Sequence, residues 1–438
     1  MKASNRTVPS EDAQPPREAR RSRGGGRAQT SLNRREFFGT SARQAAEVAA
    51  GVLGWAGYVH AQPVERLRIA VVGLGTRGQT LLEALLRRHD VCISLLCDTD
   101  RRRFPSVASL FEGCGQQVPM MTTDLLACTE FPVEVVVIAT PDRTHVPLAI
   151  EALHAGKHVY LETPATWHPS EGRLLYDSVL QSRCVLRVGL AERSSHCLRQ
   201  AIECVHTGVL GEVAWARAWS VHRRKPIESL AARELCQPEK LPSAGEVTDP
   251  AHGRAWIWSW DHGGGELTYS GVNWLDVARW GLRLAWPERV AAVGGPSPLR
   301  PPTSLHVQFT AGEQSIFWEH RLGSSHGLEG RSAGVAFYGT TGTLVVDRSG
   351  WKVYDGPRLY AQTSAEQILQ DHWDHFLQAI RAGDQAGAEV LSAIVSSAWC
   401  HLGNLAYRRG HELVFDSEQW RIVQDVEADA WWQGVGLV

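Results

Sequence analysis

The sequence lacks a C-x-x-C pair and an excess of positive charge. Its nine cysteines stand singly along the chain, which argues against a disulfide framework or a zinc site, and no metal site is expected. Cys92 and Cys97 lie in an apolar run and are expected to be buried thiols. The formal net charge of -2 argues against a nucleic-acid partner.

The length of 438 residues predicts two globular parts with appendages. Hydrophobic residues make up 43% and charged residues 21%, as in proteins with a core. We expect a disordered basic tail over residues 1–30 and a signal-like segment over 31–61. A nucleotide-binding domain is expected over 64–187 and a second α/β domain over 188–438.

The segment over residues 31–61 resembles a twin-arginine export signal. Arg34 and Arg35 precede a mildly apolar stretch (48–59) that is too short and too polar to span a membrane permanently, and Ala61 ends a small-residue cleavage site. This order predicts export to the periplasm by the twin-arginine machinery, which carries folded proteins. The alternative is an arginine-rich disordered tail on a cytoplasmic protein.

From residue 67 the sequence "LRIAVVGLGTRGQTLLEALLRRHDVCISLLCDTD" predicts a strand, a turn, a helix and a second strand. The apolar run 69–72 suits a central parallel strand. Gly73 permits a tight turn, Gly75 lets a pyrophosphate approach the backbone, and Gly78 lets helix and strand pack closely. Asp98 ends the second strand, where a carboxylate can accept both ribose hydroxyls. This context indicates a Rossmann dinucleotide site.

The acidic residue also bears on the choice of cofactor. Asp98 favours NAD, because a carboxylate repels the 2′-phosphate of NADP. The arginines at 101–103 could soften that preference and leave NADP possible, although a solvated helix turn is the default interpretation. Leu74 and Thr76, in the glycine turn, are also expected to bind the cofactor.

Two later strands end in polar turns. The run "VEVVVIATPDRTH" ends in Thr140 and Pro141, with His145 shortly after, and "AGKHVYLETP" ends in Glu162. Ligands bind at the carboxyl edge of such sheets, so these four residues are expected to bind the cofactor.

The motifs "GLGTRG", "ATPDRTH", "AGKHVYLETP", "DHGGGELTYSGVNWLDVARW", "FYGTTGTLVVD" and "HLGNLAYRRG" together resemble the glucose–fructose oxidoreductase and inositol dehydrogenase family (Gfo/Idh/MocA). The resemblance implies a Rossmann domain with a doubly wound parallel sheet, followed by an α/β domain with an open, mostly antiparallel sheet. It also implies hydride transfer between NAD(P) and a sugar or polyol, and a homo-oligomer formed through the open sheet. Strand and hairpin patterns in "GEVAWARAWSVH" and "SLHVQFTAGEQSIFWEH" agree with the second sheet.

Three catalytic groups implied by this resemblance are replaced. Thr163 stands at the position of the family's lysine, Tyr269 at that of its aspartate and Asn273 at that of its histidine. Thr163 and Asn273 cannot take up a proton near neutral pH, and an ordinary tyrosine titrates only near ~10. Tyr269 is therefore the candidate for proton transfer, and the alternative is a buried tyrosine with a satisfied hydroxyl.

Three functions remain open from the sequence. The first is an NAD(P)-dependent oxidoreductase of a sugar- or polyol-like compound. The second is a non-catalytic NAD-binding relative with a binding or assembly role, and the third is an NAD-dependent glycosidase. Trp256, Trp258 and Trp260 would share one face if they lie on a strand, and such a stripe packs a core more often than it contacts sugar.

Overall fold

The computed structural model describes residues 66–222, 255–295, 298–384 and 387–435. Residues 64–438 form one compact unit. The predicted tail and the predicted export signal lie outside the described residues. Within the described ranges, no helix combines the length and apolar character that crossing a membrane requires.

The first part of this unit is a six-stranded parallel sheet in the order β3-β2-β1-β4-β5-β6. Its strands are β1 (Leu67–Val72), β2 (Val91–Cys97), β3 (Met120–Thr122), β4 (Val135–Ile138), β5 (His158–Leu161) and β6 (Leu186–Val188). The helices between them are α1 (Thr76–Leu86), α2 (Phe104–Gly113), α3 (Ala127–Glu130), α4 (His145–His154) and α5 (Glu171–Gln181). The strand order reverses between β1 and β4, and ligands bind beyond the carboxyl ends of strands at such a point.

Strand β1 is apolar on both faces because helices cover both sides of the sheet. Ile69 and Val71 share a buried cluster with Leu81 of α1. Ala70 and Val72 share another cluster with Ala149 of α4. A continuous apolar run, without alternation, is what a central parallel strand requires.

The second sheet has ten strands in the order β14-β13-β12-β11-β7-β10-β9-β8-β15-β16. These are β7 (Val213–Val221), β8 (Arg289–Gly294), β9 (Ser304–Ala311), β10 (Gln314–Arg321), β11 (Ala333–Gly339), β12 (Gly342–Asp347), β13 (Gly350–Tyr354), β14 (Tyr360–Gln362), β15 (Leu413–Asp416) and β16 (Arg421–Val423). The β7–β10 pair is parallel, and the other described pairs of this sheet are antiparallel. One face packs on α6 (His196–His206) and α7 (Val272–Leu282) through a large apolar cluster.

Two long helices near the C-terminus connect the sheets. In α8 (Ala365–Ala382), Trp373 packs into the cluster on one face of the first sheet. In α9 (Gly387–Arg409), Ile394 packs on the other face of that sheet, and Trp399 packs into the core of the second. A short helix, α10 (Val426–Trp432), follows β16. The two sheets therefore share helices within one compact unit.

The predicted fold class is confirmed. Trp256 and Trp258 lie on a short 3₁₀ turn (Ala255–Trp258), so the condition for a shared face along a strand is not met. One local prediction was wrong. Cys97 is buried as expected, but Cys92 is exposed. Strand β3 pairs only with residues 95–97 of β2 and leaves the start of β2 uncovered on that side.

Candidate functional site

A tight turn of three glycines joins β1 to α1. Gly73 has a φ of +92°, and its N–H donates to the Cys97 carbonyl at 2.8 Å. A Cβ on Gly73 would lie 2.5 Å from the Ala139 carbonyl oxygen, and a Cβ on Gly78 would lie 1.9 Å from the Gly73 carbonyl oxygen. Glycine is therefore required at both positions, as the sequence predicts, and the turn brings α1 against the ends of β1 and β4.

The first turn of α1 presents backbone N–H groups in the crevice beyond the carboxyl ends of β1 and β4. The helix begins at Thr76 after Gly75, and no side chain caps it. Thr76 itself is exposed. The first N–H groups of a helix lack intrahelical partners and carry partial positive charge, so this turn suits the phosphates of a dinucleotide.

Asp98 lies beside the glycine turn at the end of β2. One carboxylate oxygen accepts a hydrogen bond from the Leu74 N–H at 2.7 Å, and the other accepts from the Asp100 N–H at 2.8 Å. The residue is 7% exposed. These bonds hold the carboxylate where Rossmann domains bind the ribose hydroxyls. The structure thus brings the glycine turn and Asp98 together.

Arg103 reaches into the same crevice. Its Nε lies 3.7 Å from carboxylate oxygens of both Asp98 and Asp100. Its Nη1 lies 2.5 Å from the position that a Cβ on Gly75 would take. Arg101 and Arg102 are exposed, but Arg103 is not, so the expected solvated turn was wrong for Arg103.

His145 joins the ends of two strands. Its Nε2 lies 2.9 Å from the Thr140 carbonyl oxygen, and its Nδ1 lies 2.8 Å from the Pro164 carbonyl oxygen. Burial lowers the pKa of His145, although both carbonyls oppose this. A neutral imidazole donates through one nitrogen at a time, so His145 links the two turns by one hydrogen bond and one close contact. Direct contacts of His145, Thr140 and Pro141 with a cofactor stay predictions.

Glu162 forms a buried ion pair instead of facing an open crevice. Its Oε1 accepts from Arg77 Nε at 2.8 Å and from the Tyr160 hydroxyl at 3.3 Å. Burial disfavours the charge on Arg77, but Glu162, Tyr160 and Glu192 together raise the pKa of Arg77. The pair joins the end of β5 to the first turn of α1. Glu162 therefore positions the nucleotide turn, and its contact with a cofactor stays a prediction.

Thr163 lies in the turn after β5, half-buried, and its N–H donates to Glu162 Oε2 at 3.3 Å. Helix α9 anchors the same turn, because the Ala165 N–H donates to Ser397 Oγ at 2.9 Å. The turn that contains Thr163 is thus fixed at both ends, and the Thr163 side chain is a hydroxyl that holds its proton at neutral pH.

Tyr269 and Asn273 lie on consecutive helical segments. Tyr269 belongs to a single π-helical turn (Leu267–Gly271), is half-buried, and packs edge-on against Trp256 with ring centroids 6.4 Å apart. Asn273 is the second residue of α7 and is 7% exposed. The convergence of Thr163, Tyr269 and Asn273 on one substrate stays a prediction.

Asp142 is a further candidate that the sequence analysis did not single out. It begins the short turn after Pro141, is 2% exposed, and its Oδ1 has no hydrogen-bond partner among the described residues. The Thr268 side chain contacts this carboxyl, and Thr268 directly precedes Tyr269. Burial, reinforced by Glu171, raises the pKa of Asp142 well above its usual range. In sequence, Thr-Pro-Asp after a strand resembles an ordinary exposed turn. The folded structure shows instead that Asp142 is buried and in contact with Thr268.

Comparison with known proteins supports the assignment of the first sheet. Residues 67–190 match the sequence model of the oxidoreductase family with an NAD-binding Rossmann fold, Gfo/Idh/MocA. An inositol 2-dehydrogenase of Rubrobacter xylanophilus is 32% identical over 166 residues, which are 37% of this chain and 46% of that protein. A glycosyl hydrolase family 109 protein of Saccharopolyspora erythraea is 28% identical over 217 residues, 44% of this chain and 46% of that protein. The chain thus spans less than half the length of these relatives.

Solved structures share this fold over 80% of the chain. A myo-inositol 2-dehydrogenase from Lactobacillus plantarum aligns with a TM-score of 0.61 at 15% identity, over 80% of this chain and 100% of that chain. A levoglucosan dehydrogenase in complex with NADH and levoglucosan aligns with a TM-score of 0.61 at 17% identity, over 80% and 99%. At such identities the likeness establishes the fold. Together with the family match, it identifies residues 67–190 as an NAD-binding Rossmann domain, and the glycine turn and Asp98 fit that cofactor.

Proposed function

We propose that this protein is an NAD-dependent oxidoreductase that transfers hydride between the cofactor and a sugar- or polyol-like substrate. The observation that carries the proposal is the Leu74 N–H bonded to the Asp98 carboxylate at 2.7 Å beside a turn that admits only glycine. Rossmann domains place a carboxylate at this position for the ribose hydroxyls of a dinucleotide. NADP remains the alternative cofactor, because Arg103 lies close to Asp98.

Oxidation of a hydroxyl also needs a group that takes its proton, and bound NAD supplies only the hydride acceptor. We assign that transfer to Tyr269, with Asp142 as the group that positions its segment through Thr268. A phenol can donate and accept hydrogen bonds at once, as proton transfer requires. Thr163 and Asn273 then serve to bind and orient substrate hydroxyl groups.

A second candidate is NAD-dependent glycoside cleavage. It is favoured by relatives named glycosyl hydrolase family 109 proteins, which match this chain at 28% and 25% identity. Cleavage through transient oxidation begins with the same removal of a proton and a hydride. Glycoside cleavage would therefore also need Tyr269 to accept the proton of the substrate hydroxyl.

A non-catalytic relative is the third candidate. The glycine turn and Asp98 are intact, while the sequence resemblance implies that Thr163, Tyr269 and Asn273 stand where the family has its usual catalytic groups. This combination of an intact cofactor site and altered catalytic positions would suit a chain that keeps the cofactor for structure and uses its second sheet as a binding surface.

We also propose a homo-oligomer formed through the outward face of the second sheet. Trp215 on that face is 37% exposed, stacks on Tyr338 at 4.2 Å between centroids, and meets Phe317 at 5.7 Å. Exposed aromatic clusters of this kind are typical of protein interfaces. Size-exclusion chromatography with light scattering tests this proposal, and a monomer at micromolar concentration would contradict it.

Export to the periplasm is a further proposal, and it rests on the N-terminal sequence alone. An exported protein would keep its cofactor bound and regenerate it in place, because free nicotinamide is scarce outside the cytoplasm. Purification of the mature protein from the periplasm, followed by release and identification of any nucleotide, tests both points.

The experiment that tests the main proposal uses protein with its retained cofactor. The absorbance band of reduced nicotinamide is followed while sugars, polyols, their oxidised forms and aryl glycosides are added one at a time. A change with a polyol or sugar supports the oxidoreductase, and release of the aryl group supports the glycosidase. Bound cofactor that no compound changes would favour the non-catalytic role.

A further inference from the structure

A cavity of about 300 Å³ lies beside the edge strand β6. Its lining includes five basic side chains and one tryptophan: Arg187, Arg193, Arg199, His372, His375 and Trp280. No lining residue belongs to the glycine turn, and Asp98 is not among them. The cavity is therefore separate from the proposed cofactor site.

Two buried nitrogen atoms of this lining have no partner. Arg187 is 7% exposed and His372 is 2% exposed. Arg187 Nε and His372 Nε2 have no hydrogen-bond partner among the described residues. Leaving such buried polar atoms unsatisfied is costly, so a ligand that satisfies both is favoured.

His372 is neutral, so one of its two ring nitrogens carries a proton. Burial lowers its pKa to about 3, with Arg187 adding to the effect and the Val188 carbonyl opposing it. The neutral ring has Nδ1 at 2.7 Å from Ser194 Oγ. When the serine hydroxyl donates to Nδ1, the proton of the ring lies on Nε2, and that N–H can bind an anion.

Arg193 is held in place from behind the cavity. Its guanidinium makes two hydrogen bonds with the Asp276 carboxylate, at 2.6 and 2.8 Å, and lies over the Trp280 ring at 5.3 Å. Arg279 also lies 3.7 Å from Asp276 and offsets its charge. Arg193 thus adds fixed positive charge beside the aromatic wall.

One acidic side chain, Glu389, lines the cavity. It pairs with Arg187, but it belongs to the first turn of α9 and its side chain is 52% exposed. The exposed glutamate can turn into solvent when an anion takes over its pairing with the buried Arg187 guanidinium, which would otherwise be left unpaired. Among the lining residues three arginines face this one carboxylate, while Asp276, which lies outside the lining, is shared between Arg193 and Arg279.

We propose that this cavity binds a phosphate group, either as inorganic phosphate or as the ester of a small metabolite. When no phosphate is bound, the Glu389 carboxylate occupies part of the phosphate position. Guanidinium groups suit phosphate because their N–H groups match pairs of its oxygens. Arg187, Arg193, Arg199 and His372 approach from different elements, as a tetrahedral anion requires. Trp280 provides an apolar wall for the organic part of an ester.

Calorimetric titration of the full chain tests this proposal, with inorganic phosphate and glucose 6-phosphate as separate probes at constant ionic strength. Arg199→Gln is expected to weaken binding about tenfold, since it removes one charged donor worth roughly 1.5 kcal/mol. Glu389→Gln is expected to tighten binding several-fold, because it removes the competing carboxylate. Tighter binding of the ester than of phosphate would identify a metabolite as the ligand, and equal binding would identify inorganic phosphate.

The glycine turn could also attract phosphate, so two control variants accompany the titration. Arg103→Gln alters the edge of the nucleotide site, and Arg173→Gln removes an arginine whose side chain is 86% exposed elsewhere. Circular dichroism confirms that each variant is folded. Weakening by Arg199→Gln or tightening by Glu389→Gln, without an effect of the controls, supports the proposal. It is overturned by an absence of binding at millimolar phosphate, or by binding that neither cavity variant changes.

Discussion

Arg103 Nη1 lies 2.5 Å from the position that a Cβ on Gly75 would take, and Arg103 Nε lies 3.7 Å from Asp98. A cation therefore stands between the turn that suits the pyrophosphate and the carboxylate that suits the ribose. Its charge bears on both parts of the cofactor. The choice between NAD and NADP thus depends on the balance between Asp98 and Arg103.

Replacing Arg103 should separate the two cofactors. We expect Arg103→Ala to weaken NADPH binding about tenfold, close to 1.4 kcal/mol, because an arginine at this edge accommodates the 2′-phosphate. NADH binding should change less than about twofold. Fluorescence titration measures both, with exposed Arg101→Ala as the control. An equal loss of affinity for NADH and NADPH would mean that Arg103 contacts the pyrophosphate, which both cofactors share.

Gly78 offers a test of the turn itself. A Cβ there would lie 1.9 Å from the Gly73 carbonyl oxygen, so Gly78→Ala forces the backbone apart. We expect the free energy of unfolding to fall by about 3 kcal/mol or more. Gly113→Ala is the matched control, because no atom lies within 4 Å of its Cβ position and alanine favours the helix. Urea unfolding compares the two, and similar stabilities would refute the steric argument.

Tyr269→Phe tests proton transfer directly. Loss of the hydroxyl should lower turnover about 100-fold or more, as is usual for a general acid or base, while NADH binding stays unchanged. Tyr354→Phe, on an exposed strand position, is the control. Full turnover by Tyr269→Phe would assign the proton to another group.

Asp142 predicts a dependence of stability on pH. Its folded-state pKa is raised by burial, so folding becomes less favourable as pH rises from about 4 toward that value. Asp142→Asn removes this cost. We expect variant and parent to have equal free energies of unfolding near pH 4. At pH 8 the variant should be more stable, by about 1.4 kcal/mol for each unit by which burial raises the pKa of Asp142.

The measurement for Asp142 is urea unfolding at a series of pH values. Asp177→Asn serves as the control, because Asp177 is partly exposed and pairs with Arg173 on the surface of α5. A difference between Asp142→Asn and its parent that does not vary with pH would mean that Asp142 is ionised in the folded protein.

Local sequence signals were enough to predict the first sheet, the glycine turn and the place of Asp98. These depend on local rules: an apolar run gives a strand covered on both faces, and a steric requirement within a few residues selects glycine. The hairpins of the second sheet also follow from alternation and turn residues. Such signals are complete within a short stretch of chain.

Tertiary structure decided the rest, because it depends on residues far apart in the chain. The sequence predicted a solvated side chain for Arg103, whereas the fold places Arg103 beside Gly75 and Asp98. Asp142 is buried by residues distant in the chain, among them Thr268, and the cavity beside β6 takes side chains from four separate helices and the edge strand. Periodicity determines which face of an element is apolar, but the partner of that face, and hence the burial and charge of a given side chain, is set by the packing of the whole chain.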